Sequence, residues 1–177
     1  WAEKRYSGGR HSNEGVVVPI IHKRVELGTY AGSDAMLRLL RNQGFQVGDW
    51  PEDMISQPGF AWSPRPVYVD LIEVSAAELG FKNKVRYGDV TKTLLQEGYE
   101  LCPHEVGPQW RRQYPDQPAN NWVMLAMNPI VDSVGYQSIF FLGRGSGGLW
   151  LGASRGHPNV LLKPESRFAA CCSMPAA

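Results

Sequence analysis

The chain is poor in cysteine and histidine and has almost no excess of charge. Its 177 residues include three cysteines and four histidines, and 18 Lys and Arg stand against 17 Asp and Glu. Nucleic-acid-binding domains usually carry a clustered basic face, so this balance argues against a nucleic-acid partner. The odd number of cysteines, with Cys171 next to Cys172, does not fit the disulfide framework of a secreted domain. We therefore predict reduced cysteines and a cytoplasmic protein.

Long apolar runs and familiar catalytic motifs are missing as well. No segment approaches the ~18–20 apolar residues of a membrane-spanning helix, so no membrane association is expected. The polar stretch 1–15 lacks the apolar centre of a signal peptide. The histidines have no metal-ligand spacing, and the glycine-rich run 143–148 lacks the lysine and the following helix of a phosphate-binding loop. The sequence thus predicts no metal site and no cofactor.

Local patterns place helices in the middle of the chain and strands towards its end. Helices are expected from 33 to the stop at Gly44, at 49–56 and at 89–97. The spacing Ser75-x-x-Glu78 predicts one further capped turn. From Asn121 the hydrophobic period changes to two. Strands are expected at 16–27, 67–74, 122–127, 137–142, 149–153 and 167–171.

This segregation of helices and strands favours an α+β fold. We predict a helical middle segment packed on a C-terminal antiparallel β-meander of about four strands. The stretch 1–15 shows no periodicity and is interpreted as a flexible N-terminal arm, and 16–177 as a single domain.

The run 101–118 contains two prolines that govern how a helix can begin there. Pro103 suits a first helical position. Pro108 lies further in, where it removes a backbone hydrogen bond, so the helix must kink or restart at Gly107-Pro108. Polar side chains near such a kink can converge on a ligand. The plain alternative is a simple helix boundary whose arginines form a solvated face.

Six residues of this run are the candidate ligand-binding site. Two of them, Trp110 and Tyr114, share one face of the predicted helix, and three others can align at positions i, i+4 and i+7. The complete set is Glu105, Gln109, Trp110, Arg111, Arg112 and Tyr114.

This set favours a non-catalytic domain that binds a small molecule, a peptide or a protein partner, and a homo-oligomer is compatible with it. In that case we expect Arg111 or Arg112 to face Glu105 or Asp116. The alternative is a small hydrolase or modifying enzyme with Glu105 as the base and an arginine steadying an anion. A third possibility, a nucleic-acid adaptor, depends only on the two arginines beside Trp110 and Tyr114.

Tryptophans offer a second, weaker signal for a pocket. Trp50, Trp62, Trp110, Trp122 and Trp150 fall at the ends of predicted elements or in loops. Aromatic side chains with a polar tip are favoured in pockets and interfaces. Alternatively, these rings fill the irregular core of a proline-rich domain.

Five motifs stand out along the chain: 69–71, 77–81, the run 101–118, Asn121-Trp122 and 127–130. Together they resemble a family of small uncharacterised bacterial proteins from environmental and candidate-phylum genomes and from mobile integron gene cassettes. The resemblance covers about residues 25–168. It departs from the family at Trp110 and Arg112, where leucines are expected, at Asn121, where a glutamate is expected, and at 169–172. Because that family has no established activity, the resemblance implies a single domain on a mobile cassette and no particular chemistry.

Overall fold

A mixed β-sheet dominates residues 22–30 and 32–172, the part of the chain that the computed structural model describes. The strands are β1 Lys23–Leu27, β2 Gln46–Val47, β3 Val67–Ser75, β4 Val85–Arg86, β5 Tyr99–Glu100, β6 Trp122–Leu125, β7 Ile130–Val131, β8 Gln137–Gly145, β9 Gly148–Arg155, β10 Leu161–Leu162 and β11 Arg167–Cys172. The helices are α1 Ser33–Asn42, α2 Asp49–Ser56, α3 Tyr87–Gln96 and α4 Val106–Gln113. In this described part, no helix has the length and apolar character needed to span a membrane.

Nine of the strands in the described part form one sheet in the order β1-β3-β11-β6-β8-β9-β2, with β5 beside β11 and β7 beside β8. The pairs β11–β6 and β2–β9 are parallel, and the other pairs of this sheet are antiparallel. Strands β4 and β10 make a separate two-stranded ribbon. The last described strand, β11, therefore lies inside the large sheet between β3 and β6, whereas β1 lies at one edge.

The predicted fold was wrong in its architecture. The four expected C-terminal strands form as β6, β8, β9 and β11, but they are not a meander, because β11 lies parallel to β6 and between β6 and β3. The helices are only eight or ten residues long, and the sheet is the larger element. The physical reason is long-range pairing: β1 and β3 extend the C-terminal strands into one sheet, and local periodicity carries no signal for this.

The helices α1, α2 and α3 form where the sequence predicts them. Leu95 of α3 is 51% exposed. The predicted N-terminal arm at 1–15, and the part of the first expected strand before residue 22, lie outside the described residues.

The register of β6, β8 and β9 gives the sheet two different faces. Val123, Leu142 and Leu151 are paired across the three strands and are fully buried. This inner face packs against α4, which contacts β8, β9, β1 and α1. On the opposite face, Met124 pairs with Phe141, and Phe141 pairs with Gly152. The candidate site described below lies on this second face, called here the outer face.

All three cysteines are free thiols in the structure. Cys102 and Cys171 are buried and Cys172 is half-buried. A hydrogen bond with Cys171, together with burial, raises the pKa of the Cys102 thiol, and burial raises the pKa of Cys172 to about 11.

We expect Cys102 and Cys171 to resist alkylation in the native protein because both are buried. Cys172 should react slowly, because the thiolate is the reactive form and a pKa of about 11 leaves little of it near pH 8. The measurement is thiol titration before and after unfolding without reductant. Three thiols should appear on unfolding, and a smaller number would contradict the prediction of reduced cysteines.

Candidate ligand-binding site

The six residues predicted as a site lie in α4 or next to it. Glu105, Gln109, Trp110 and Arg111 are 0% exposed, Tyr114 is buried, and Arg112 is half-buried. Helix α4 begins at Val106, so Pro108 lies in its first turn, where a backbone N–H has no intrahelical acceptor. The proline therefore marks a simple helix start, as in the plain alternative, but the solvated arginine face of that alternative is wrong for Arg111, which is fully buried.

Glu105 joins three segments of the chain through its carboxylate. Its Oε1 accepts hydrogen bonds from the backbone N–H of Gly28 at 2.7 Å and from Gln109 Nε2 at 2.9 Å. Its Oε2 accepts one from the backbone N–H of Ser63 at 2.7 Å. Gly28 follows β1 and Ser63 precedes β3, so Glu105 fixes both loops to the start of α4. This is the arrangement of a buried structural carboxylate, because both oxygens are already occupied.

The predicted alignment of Glu105, Gln109 and Arg112 is confirmed, because each side chain contacts the next along the helix. Gln109 donates from Nε2 to Glu105, and its Oε1 accepts a hydrogen bond from Arg112 Nε at 3.1 Å. The Arg112 guanidinium lies 5.3 Å from the centre of the Tyr30 ring. The predicted shared face of Trp110 and Tyr114 is confirmed too, since their rings stack at 5.6 Å with an interplanar angle of 3°. Ligand binding by these six residues stays a prediction.

Arg111 is buried without a carboxylate partner among the described residues. Its Nη1 donates to Gln117 Oε1 at 2.6 Å, its Nη2 donates to the carbonyl oxygen of Tyr114, and its Nε has no partner within the described chain. The guanidinium lies 5.3 Å from the Phe45 ring centre. Burial lowers the pKa of Arg111 to about 10.

The expectation that Arg111 or Arg112 faces Glu105 or Asp116 was wrong. Asp116 pairs instead with Lys23, at 3.5 Å between Nζ and Oδ1. The reason is that Glu105 is satisfied by N–H donors from three segments, so it attracts no guanidinium.

A chain of hydrogen bonds leads from Arg111 to the outer face of the sheet. Gln117 accepts from Arg111 and donates from Nε2 to Asn121 Oδ1 at 2.8 Å. Asn121 Nδ2 donates to Glu73 Oε1 at 3.4 Å, and the same oxygen accepts from Arg167 Nε at 2.5 Å. Glu73 Oε2 lies 3.2 Å from His22 Nε2. Asn121 and Arg167, at the end of this chain, line a cavity.

This cavity, called here the outer-face cavity, has a volume of about 490 Å³. Its floor consists of the outward side chains of β6 and β8. Its rim consists of polar residues from the segment before β6 and from the segment that leads into β11, with Ala153 and Ser154 from β9. The lining residues are Asn120, Asn121, Trp122, Met124, Phe141, Ala153, Ser154, Glu165, Ser166 and Arg167.

Two aromatic rings of the floor lie directly on glycine backbone. A Cβ atom at Gly143 would come within 2.0 Å of Trp122 Cε3, and one at Gly152 within 2.1 Å of Phe141 Cζ. Both rings therefore need glycine on the neighbouring strand in order to lie low over the sheet. Trp122 nevertheless stays 47% exposed. The two ring centres are 5.5 Å apart and the ring planes make an angle of 59°, so the rings form a tilted pair, called here the aromatic pair.

A second concave surface, of about 460 Å³, lies between α2 and the turn after β7. Its buried carboxylate, Asp132, is fully occupied: Oδ2 accepts from Trp50 Nε1 at 2.6 Å, and Oδ1 accepts from the backbone N–H of Tyr136 at 2.8 Å. Arg155 covers the Tyr136 ring at 4.2 Å. These polar groups already have partners, so this surface is a poorer candidate than the outer-face cavity.

The sequence reasoning missed the outer-face cavity. Among the tryptophans it noted, Trp110 is a core residue and Trp122 lies exposed in the cavity. The signal that could have found it is the alternation in β6 and β8, where Trp122 and Phe141 occupy positions of the outward face. Within the described residues, no group of three or more His, Cys, Asp or Glu side chains could hold a metal ion.

Comparison with protein-family models, with curated proteins and with solved structures gave no match. The resemblance to a family from mobile gene cassettes therefore stays a prediction.

Proposed function

We propose that this protein is a non-catalytic domain that binds a small molecule in the outer-face cavity. The observation that carries the proposal is the aromatic pair of Trp122 and Phe141, held over Gly143 and Gly152 on the outward side of the sheet. A half-exposed tryptophan in a concave, polar-rimmed site is typical of ligand pockets. The volume of about 490 Å³ lies within the range of ~300–1,000 Å³ found for small-molecule sites.

The rim of the cavity supports binding more than turnover. Asn120, Ser154, Ser166 and Glu165 contribute amide, hydroxyl and carboxylate groups, and none of the histidines and cysteines that the structure describes lines the cavity. The alternative, an enzyme with Glu105 as its base, is less well supported, because both oxygens of Glu105 are occupied by N–H donors. A peptide or protein partner and a homo-oligomer stay predictions. Three free thiols support a reducing, cytoplasmic compartment for this binding function.

Replacing Trp122 by alanine is expected to weaken binding about fivefold or more. Stacking on an aromatic side chain contributes about 1–3 kcal/mol, and each 1.4 kcal/mol corresponds to about tenfold in affinity. The measurement is a thermal-shift screen of a metabolite library on the parent, followed by titration of the hits against Trp122→Ala.

Two further variants make this test specific. Tyr68→Ala removes a 55% exposed ring outside the cavity and should leave the affinity for every hit unchanged. Ser154→Tyr should block the cavity while keeping Trp122 over Gly143. Hits that survive both Trp122→Ala and Ser154→Tyr bind elsewhere, and the assignment of the cavity would then be wrong.

A further inference from the structure

We propose that the ligand of the outer-face cavity is a neutral saccharide, bound with a pyranose ring against Trp122 and Phe141. This inference rests on the proposed function and adds the chemical class of the ligand. Three features of the cavity lead to it: the angle between the two rings, the chemistry of the rim, and the pairing of Arg167, a cationic side chain of the lining, with carboxylates.

The aromatic pair fits a puckered ring better than a flat one. A planar heterocycle stacks on one ring face or between two parallel faces. The planes of Trp122 and Phe141 are 59° apart, with centres 5.5 Å from each other, so the two rings give the floor of the cavity two inclined surfaces. A pyranose carries C–H bonds on its faces and its edge, and can place C–H groups against both surfaces at once.

The rim carries groups that can both donate and accept hydrogen bonds. The side chains of Asn120, Ser154 and Ser166 have no hydrogen-bond partner within the described residues, and the same holds for the carboxylate of Glu165. Sugar hydroxyls each donate one hydrogen bond and accept others, so they match amide, hydroxyl and carboxylate groups placed around an apolar floor. Asn120 has a left-handed backbone (φ 59°), a conformation that asparagine tolerates better than most residues.

The charges of the lining do not suit a nucleotide or another polyanion. Among the described lining residues, Arg167 is the one cationic side chain, and it is engaged by Glu73 at 2.5 Å and lies 3.8 Å from Glu78. Glu165 adds a negative charge to the rim. A phosphate group entering here would meet an arginine that is already paired and would be repelled by a free carboxylate.

Asn121 gives the rim of the cavity a fixed polar group. Its amide is held between Gln117 and Glu73, so its orientation is set from inside the protein. The fixed amide of Asn121 and the unpartnered amide, hydroxyl and carboxylate groups of the rim can together distinguish the stereochemistry of neighbouring hydroxyls.

Saturation-transfer NMR on the whole chain tests this inference. The probes are methyl glycosides of neutral hexoses and neutral disaccharides, with adenosine, uridine and adenosine monophosphate as competing classes. At least one neutral saccharide should receive saturation at its ring C–H protons, and the signal should disappear in Trp122→Ala and persist in Tyr68→Ala. Glu165→Gln and Asn120→Ala should each lower the affinity for that saccharide at least threefold and leave the melting temperature of the protein unchanged.

Salt gives an independent readout, because the affinity for a neutral ligand should change less than twofold between low and high salt, whereas phosphate contacts weaken steeply.

If nucleosides or other planar rings bind in a Trp122-dependent way and no saccharide does, the saccharide inference is wrong and the proposed function stands. If neither these probes nor the metabolite library bind, both are wrong. Saccharide binding that survives Trp122→Ala and Ser154→Tyr would also overturn the inference, since it would lie outside the cavity.

Discussion

Replacing Glu105 by glutamine is expected to destabilise the fold by about 2–4 kcal/mol, because hydrogen bonds to a charged group contribute about 1.5–3 kcal/mol each. The parent carboxylate accepts from Gly28, Ser63 and Gln109, all within 2.9 Å. Glutamine offers one acceptor oxygen, and its NH₂ group must face one of these donors. For a domain of this size the melting temperature should fall by about 5–15 °C.

The measurement is urea denaturation of the parent, of Glu105→Gln and of Glu100→Gln. Glu100 is an exposed residue of β5, and the free energy of unfolding of Glu100→Gln should lie within about 0.5 kcal/mol of that of the parent. This experiment also separates the structural role of Glu105 from the enzyme alternative. An open-site base would tolerate glutamine without loss of stability, so an unchanged free energy of unfolding would contradict the buried-anchor role and favour the base.

Sequence signals that act over one helical turn predicted the structure well. Ser75 and Glu78 form the expected reciprocal cap: the Ser75 N–H donates to Glu78 Oε2 at 2.7 Å, and the Glu78 N–H donates to Ser75 Oγ at 3.1 Å. The alignment of Glu105, Gln109 and Arg112 succeeded for the same reason, since residues three and four apart are neighbours on a helix.

Contacts between distant segments could not be predicted in this way. Arg167 and Glu73, which are 94 residues apart, meet because β11 inserts between β3 and β6. The burial of Arg111 has a similar origin. Helix α4 contacts β1 and α1 as well as β8 and β9, so it has hardly any solvated face, although its two adjacent arginines are typical of one.

The outer-face cavity depends on strand register, which the sequence does not specify by itself. The strands containing Trp122 and Phe141 were expected, but which glycine lies under which ring follows from the pairs Trp122–Gly143 and Phe141–Gly152. A shift of one residue would turn both rings into the core.

Replacing Arg111 by alanine is expected to cost about 3–5 kcal/mol, the range for breaking a buried charged network or emptying a large core site. The guanidinium fills a fully buried position beside Phe45 and donates to Gln117 and to the Tyr114 carbonyl. Alanine leaves both acceptors without a donor and leaves a void. Arg112→Ala is the matched control. Because Arg112 is only half-buried, its replacement should lower the free energy of unfolding by no more than about 1 kcal/mol.

A third variant, Arg111→Met, separates packing from charge. Methionine keeps most of the volume and removes a charge that has no carboxylate partner in the described chain, so its cost should be at least 1 kcal/mol smaller than that of alanine. Urea denaturation measures the free energy of unfolding of all three variants, and their m-values should equal that of the parent.

Arg111→Met should also lower the affinity of the outer-face cavity for its ligands while the fold persists. The reason is that Gln117, which holds Asn121, would lose the donor that orients it. A cost below 1 kcal/mol for Arg111→Ala would show that the guanidinium is solvated and not part of this network.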